Sequence, residues 1–193
     1  MNTGVPARSY ALERLYLDQH RDFVIDTIPA LLAWLTPSSR PSQPFVFEVS
    51  VSTGEQAGLE CLRLSWDIEA LAAQDPTLLD RARRLRQGTS AQREHVVELA
   101  AYGLALVAVS VWMPGRRIVA WAKHSTPDML LDPTPGALRG VEVAGRSRGG
   151  LPSLRTALAR KRAALDVMLD VAEAHVSLWC GSPRVALHVQ VKP

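Results

Sequence analysis

RRIVAWAKHSTPDMLLDPTPGALRGVEVAGRSRGG, residues 116–150, is the stretch on which the fold turns. RRIVAWAKH (116–124) alternates Ile118, Ala120 and Ala122 against Val119, Trp121 and Lys123. PDMLLD (127–132) follows after two residues, and LRGVEVAG (138–145) comes after the turn-rich PTPGA (133–137). An alternation of period two, punctuated by proline and glycine, marks short strands. The stretch therefore predicts a three-stranded meander closed by Gly149 and Gly150.

On the C-terminal side, Pro152 and Ser153 open a predicted helix over 152–175, with Leu154, Leu158, Leu165, Met168 and Ala172 along one side. RVALHVQV (184–191) alternates again and predicts a last strand. On the N-terminal side lies REHVVELAAYGLALVAVSVWM (93–113), the most apolar segment, which MPGR (113–116) ends with a turn. Its uncharged part, Leu99–Met113, is 15 residues long, short of the roughly 20 that cross a bilayer, so it reads as a buried helix and not a membrane span. QGTSAQ (87–92) separates it from a polar helical stretch over 67–87, with Ser90 as candidate N-cap.

Farther upstream, FVFEVSV (45–51) and GLECLRLSW (58–66) alternate and predict a hairpin. Residues 9–36 carry Leu12, Tyr16, Phe23, Ile28, Leu31, Leu32 and Leu35 at helical spacings. Pro29 removes a hydrogen bond and clashes with the preceding turn, so two helices meeting near Asp26–Pro29 are expected there. TPSSRPSQP (36–44) reads as a loop.

With 193 residues, 47% of them apolar and 21% charged, the chain can bury a sizeable core and is neither disordered nor a collagen-like fibre. Cys61 and Cys180 are too few for a disulfide framework and read as reduced thiols of a cytoplasmic protein. MNTGVPARSYALERL lacks the apolar stretch of a signal peptide. The net charge of +3 divides unevenly: residues 1–113 hold 10 basic and 13 acidic side chains, and residues 114–193 hold 12 and 6. A basic half points to an anionic partner, of which nucleic acid is the commonest.

From residue 91 onward the predicted order is helix, three strands, helix, strand, and within it Pro127-Asp128 precedes Glu142-Val143-Ala144 by 13 residues. This resembles the PD-(D/E)XK, or restriction-endonuclease-like, superfamily over residues 91–193. The resemblance implies an α/β fold with an αβββαβ core at 91–193. Residues 1–90 would be an accessory region of helices and a β-hairpin, packed on that core or serving assembly. It also implies that Asp128 and Glu142 hold a divalent metal such as Mg²⁺, with a further acid from the preceding helix, Glu98 or else Glu94. Ala144 stands where the superfamily has its lysine. Three cations are candidates for that role: Lys161 on the apolar stripe of the following helix, Arg146 two residues beyond Ala144, and Lys123 on the first strand. A guanidinium keeps its proton and cannot serve as a base.

Arg146, Arg148, Arg155 and Arg162, with Arg160 and Lys161, line the approach to the 152–175 helix and its body, a surface suited to phosphate contacts. His95, His124, His175 and His188 do not fall at zinc-ligand spacing, and neither a GxSxG nor a phosphate-binding glycine loop is present. Asp128, Glu142 and Lys161 are thus the candidate catalytic residues. The resemblance implies nucleic-acid processing or antiviral, foreign-DNA defence. Ala144 tilts the expectation toward a catalytically degenerate, nucleic-acid-binding subunit with a protein partner or a second copy of itself. An active Mg²⁺-dependent nuclease stays open, as does an oligomeric scaffold joined through the apolar helix and the N-terminal helices.

Overall fold

Alternating side chains build most of one sheet, and the computed structural model describes the chain over residues 5–35, 43–53, 56–121, 126–132 and 137–193. The elements are β1 (Ala7–Ala11), a 3₁₀ turn (Leu12–Arg14), α1 (Leu15–Asp18), α2 (Arg21–Leu35), β2 (Phe45–Thr53), β3 (Gln56–Ser65), α3 (Ile68–Gln74) and α4 (Leu78–Gln87). They continue as α5 (Arg93–Trp112), β4 (Ile118–Trp121), β5 (Met129–Leu131), β6 (Leu138–Arg146), α6 (Gly150–Asp166), β7 (Val171–Gly181) and β8 (Arg184–Lys192). The protein is mixed α/β, with a single eight-stranded mixed sheet in the order β1-β3-β2-β8-β7-β6-β5-β4.

The hairpin forms where the alternation places it: β2 and β3 pair antiparallel from Phe45↔Leu64 to Thr53↔Gln56. Phe45, Phe47, Val49 and Val51 turn inward. β2 then pairs parallel with β8 through Val49↔Ala186, so the hairpin continues the C-terminal sheet. The meander is also present, with β4, β5 and β6 antiparallel in turn. β6 and β7 are parallel neighbours joined over one face by α6. α5 lies on the other face, with α2 packed along it. α5 is long and apolar enough to cross a membrane (mean hydropathy 1.6), yet 72% of that window is buried inside the protein. An apolar girdle all round is what a helix enclosed by a core requires.

Four local expectations fail, each for a tertiary reason. Residues 9–11 belong to β1, because Tyr10 and Ala11 pair with Leu64 and Ser65 of β3. α2 runs unbroken through Pro29, and the chain turns earlier, at Gln19, whose backbone is extended. The buried Gln19 amide donates to Ser110 Oγ (3.0 Å) and the Arg116 carbonyl (3.1 Å), and its oxygen accepts from Ile118 N–H (3.0 Å), which fixes the break there. Ser90 is not a cap; Gln92 occupies the N-cap of α5 without a side-chain hydrogen bond.

The fourth failure is the largest. The helix expected over 152–175 ends at Asp166, and 171–181 is a central strand. Covered on both faces, β7 buries Val176, Leu178 and Cys180 toward α6 and Trp179 toward α5. Glu173, His175 and Ser177 alternate with Ala174, Val176 and Leu178, but this short alternation directly continues the helical stripe of Leu154, Leu158, Leu165, Met168 and Ala172, which hid it. Most of the 36–44 loop, the 133–136 turn and both Lys123 and His124 lie outside the described residues.

Candidate active site

Asp128 directly precedes β5, and Glu142 is at the middle of β6. The β5–β6 register pairs Met129 with Val141 and Leu130 with Gly140. One residue further it sets Asp128 opposite Glu142, and directly opposed residues share a face with Cβ atoms ~5 Å apart. Alternation decides which face: Val141 and Val143 enter the core under α5, while Ala144 packs against the cluster that contains Leu154 and Leu158 of α6. Glu142 therefore looks toward α6.

Lys161 meets it from that helix. It follows Leu154 by two turns on the stripe that buries Leu154 and Leu165, so its stem runs along the sheet. Its Nζ is 3.2 Å from Asp128 Oδ2 and also donates to Glu142 Oε2. Asp128 Oδ2 accepts a second hydrogen bond from Val143 N–H at 2.7 Å, which ties the acid to the neighbouring strand. The three side chains are 18%, 6% and 17% exposed for Asp128, Glu142 and Lys161, so the cluster is sheltered but reachable from solvent.

One ammonium against two carboxylates leaves a sheltered excess of negative charge. Burial raises the Glu142 carboxyl above the ordinary carboxylate range; the Lys161 hydrogen bond opposes this, and the adjacent Asp128 charge adds to it. Glu142 Oε1 is buried and has no hydrogen-bond partner among the described residues. An orphaned carboxylate oxygen beside a second carboxylate fits Mg²⁺, a hard ion commonly held by one or two carboxylates and several waters. Asp128 and Glu142 would be its protein ligands.

Glu98 does not join them as a third ligand. Its carboxylate lies 3.6 Å from His95 Nδ1, one turn back on α5, with both side chains largely exposed. Among the described residues, no three His, Cys, Asp or Glu side chains cluster closely enough to hold a metal. The α5 residue that faces the site is Tyr102, which sequence reading overlooked. Its phenol is raised in pKa, first by burial and then by the charges of Asp128 and Glu98, so it stays a neutral donor beside Asp128. Stacking fixes the ring: Tyr102 lies on Trp121 (5.3 Å, 29°), which lies on Phe23 (5.0 Å, 19°). A polar ring four residues after Glu98 in an otherwise apolar run was the available signal.

Of the other cations, Arg146 ends β6 on the Glu142 side of the strand but is exposed and makes no contact with the acids. Arg148 follows in the turn, and Arg155, Arg160 and Arg162 stand exposed on α6. None of the five has an ion-pair partner among the described residues. Arg155 and Arg162 are seven residues apart and share a stripe about 100° around the helix from Lys161. No protein-family model, no curated protein and no solved structure matches this chain.

Proposed function

We propose that this protein is a restriction-endonuclease-like, Mg²⁺-dependent phosphodiesterase acting on nucleic acid, in which Lys161 of α6 takes the place of the lysine missing at Ala144. The observation that carries the proposal is the single ammonium bridging Asp128 and Glu142. From α5 onward the order is helix, three strands, helix and two strands, so β7 stands between α6 and the strand β8 that was expected to follow it.

When bound, the metal would supply an activated water and neutralise charge on the phosphate. Asp128 and Glu142 hold it, and Val143 N–H keeps the Asp128 carboxylate in place. Lys161 is positioned to orient a water and to offset negative charge developing on a phosphate oxygen, in a site where such charge is poorly screened. Arg146, Arg148, Arg155 and Arg162 contact backbone phosphates without reading sequence. Roles in foreign-DNA defence or repair, alone or as a subunit of a larger complex, suit this chemistry.

The second reading, an inert nucleic-acid-binding relative, rests on there being no third acid beside Asp128 and Glu142 among the described residues. Cleavage assays on labelled DNA and RNA with Mg²⁺ or Mn²⁺ decide between them. Active protein should lose activity by about 100-fold or more in Lys161→Met and in Asp128→Asn, the scale on which removing one transition-state contact acts. If the wild type cleaves nothing, yet binds in a salt-sensitive way that Arg155→Glu with Arg162→Glu weakens, the inert reading holds. If it neither cleaves nor binds, both readings fall.

A further inference from the structure

β6 and β7 are parallel, and their carboxyl ends, Arg146 and Gly181, open on the same end of the sheet. Ligands of open α/β sheets settle in the crevice outside such strand ends. A cleft of about 290 Å³ lies here, with Trp34, Leu85, Val96 and Val97 as its apolar walls and Arg86 and Arg93 among its lining. Two observations place it at the strand ends. A Cβ at Gly145 would stand 2.6 Å from the Val97 carbonyl, so the first turns of α5 lie directly on β6. A Cβ at Gly181 would stand 2.8 Å from the Trp34 ring, so the indole is seated on the last residue of β7.

Arg93 of the lining is exposed and has no ion-pair partner among the described residues, and no acidic residue among them lines the cleft, so its charge complements an anion. Trp34 supplies a rigid aromatic surface that a phosphate alone would not use. The pairing of an aromatic wall with arginines suits a nucleotide, whose base stacks while its phosphate meets the cations. The cleft also leads toward the acid pair. A neighbouring cleft shares Leu85 and Ala91 with it and reaches His95 and Leu99, with Arg81 and Arg84 beside Asp26 on its wall; a smaller cavity then shares His95 and Leu99 and ends at Glu98, Tyr102 and Trp121. From Arg93 to Tyr102 the path along α5 is ~14 Å.

We infer that this cleft binds an unstacked nucleotide of a single-stranded nucleic acid, whose chain continues along α5 toward Tyr102 and the Asp128 end of the site. The inference rests on the proposed phosphodiesterase function and names its substrate as single-stranded. A duplex keeps its bases stacked and offers none to Trp34.

The test is fluorescence anisotropy of the full chain in EDTA, with a fluorescein-labelled mixed-sequence single strand and the same strand in a duplex. Trp34→Leu and Arg93→Glu should each weaken single-strand binding about tenfold, the scale of one lost base-stacking contact, and change duplex binding less than twofold. Trp34→Phe should restore most of the loss, and exposed Arg93 gives a variant whose fold is not at stake. Single-strand affinity unchanged in Arg93→Glu, or equal losses on strand and duplex, would overturn the inference. Adding Mg²⁺ separates the two claims. Trp34-dependent binding without cleavage would sink the phosphodiesterase and leave the cleft, while cleavage indifferent to Trp34→Leu and Arg93→Glu would do the reverse.

Discussion

Burying ionised side chains is expensive, and an ion pair taken out of water often does no more than offset its own desolvation. Asp128, Glu142 and Lys161 carry that cost with an unpaired oxygen left over, on Glu142. A free acceptor in a sheltered acid pair is what the proposed metal site would use. A different unsatisfied group sits deeper. His188 is fully buried, both ring nitrogens lack partners among the described residues, and the ring is stacked between Trp112 (5.6 Å) and His175 (5.9 Å). Burial, helped by the neighbouring His175, pushes its pKa down to about 3. An unfolded histidine titrates near 6.5, so below that pH the unfolded chain takes up a proton that the native protein refuses. Stability from this group is complete above pH 6.5 and drains away as pH falls toward 3. Between pH 7.5 and 5 the loss from His188 alone should be ~2 kcal/mol. Urea unfolding of wild type and His188→Leu at both values checks it: the variant should lose less on acidification, and equal losses would show that His188 titrates normally in the folded state.

At the level of elements, the close approach of α5 to β6 at Gly145 also aims the site. Gly145 has Val97 O, Ala101 Cβ and Val97 Cγ1 within 2.9 Å of where a Cβ would be. Gly145→Ala must therefore lift α5 from β6. Overpacking of this kind costs about 1–3 kcal/mol, and the same shift moves Tyr102 away from Asp128. The expected result is a lowered melting temperature together with reduced cleavage; an unchanged melting temperature would mean that the helix yields without strain. The elements around this contact were legible in sequence because each has one wet face or sharp punctuation: β2 and β3 through alternation, β4 to β6 through Pro and Gly turns, α5 through its length. β7 was not, because Ala172, Glu173 and Ala174 prolong the helical spacing of α6 and mask the short alternation of Glu173, His175 and Ser177 that follows. The break at Gln19 was equally hidden, since hydrogen bonds to residues 91 to 99 positions away hold it. The acid pair could be read from the meander. Lys161 could be read only as one of several cations, because which one reaches the pair depends on how α6 crosses the sheet.

For the whole molecule, the division of charge along the chain becomes a division of environments. Several arginines of the acidic half are neutralised where they stand: Arg81 pairs with Asp26 and Asp75, and Arg83 and Arg84 with Asp80. Those around α6 are left open. The halves are nevertheless one structure. β2 is hydrogen-bonded along β8 from Glu48↔Val185 to Ser52↔Val189, and one buried cluster takes in Ile28 and Leu31 of α2, Phe47 of β2, Leu104 of α5 and Trp179 of β7. Cutting the chain at residue 90 would free an edge of β8 and uncover α5, whose Leu104, Ala105, Leu106, Val107, Ala108 and Val109 are all completely buried. An edge of that length with an apolar helix beside it is an aggregation site. Residues 91–193 expressed alone should therefore give no cooperative thermal transition by circular dichroism, although they hold Asp128, Glu142 and Lys161. Co-expression with residues 1–90 should recover a soluble complex that melts as one unit. A fragment 91–193 that melts cooperatively by itself would instead make the hairpin and α2 a detachable addition. The Asp128–Glu142–Lys161 cluster would then be supported by α6, β6 and β7 without help from the first half of the chain.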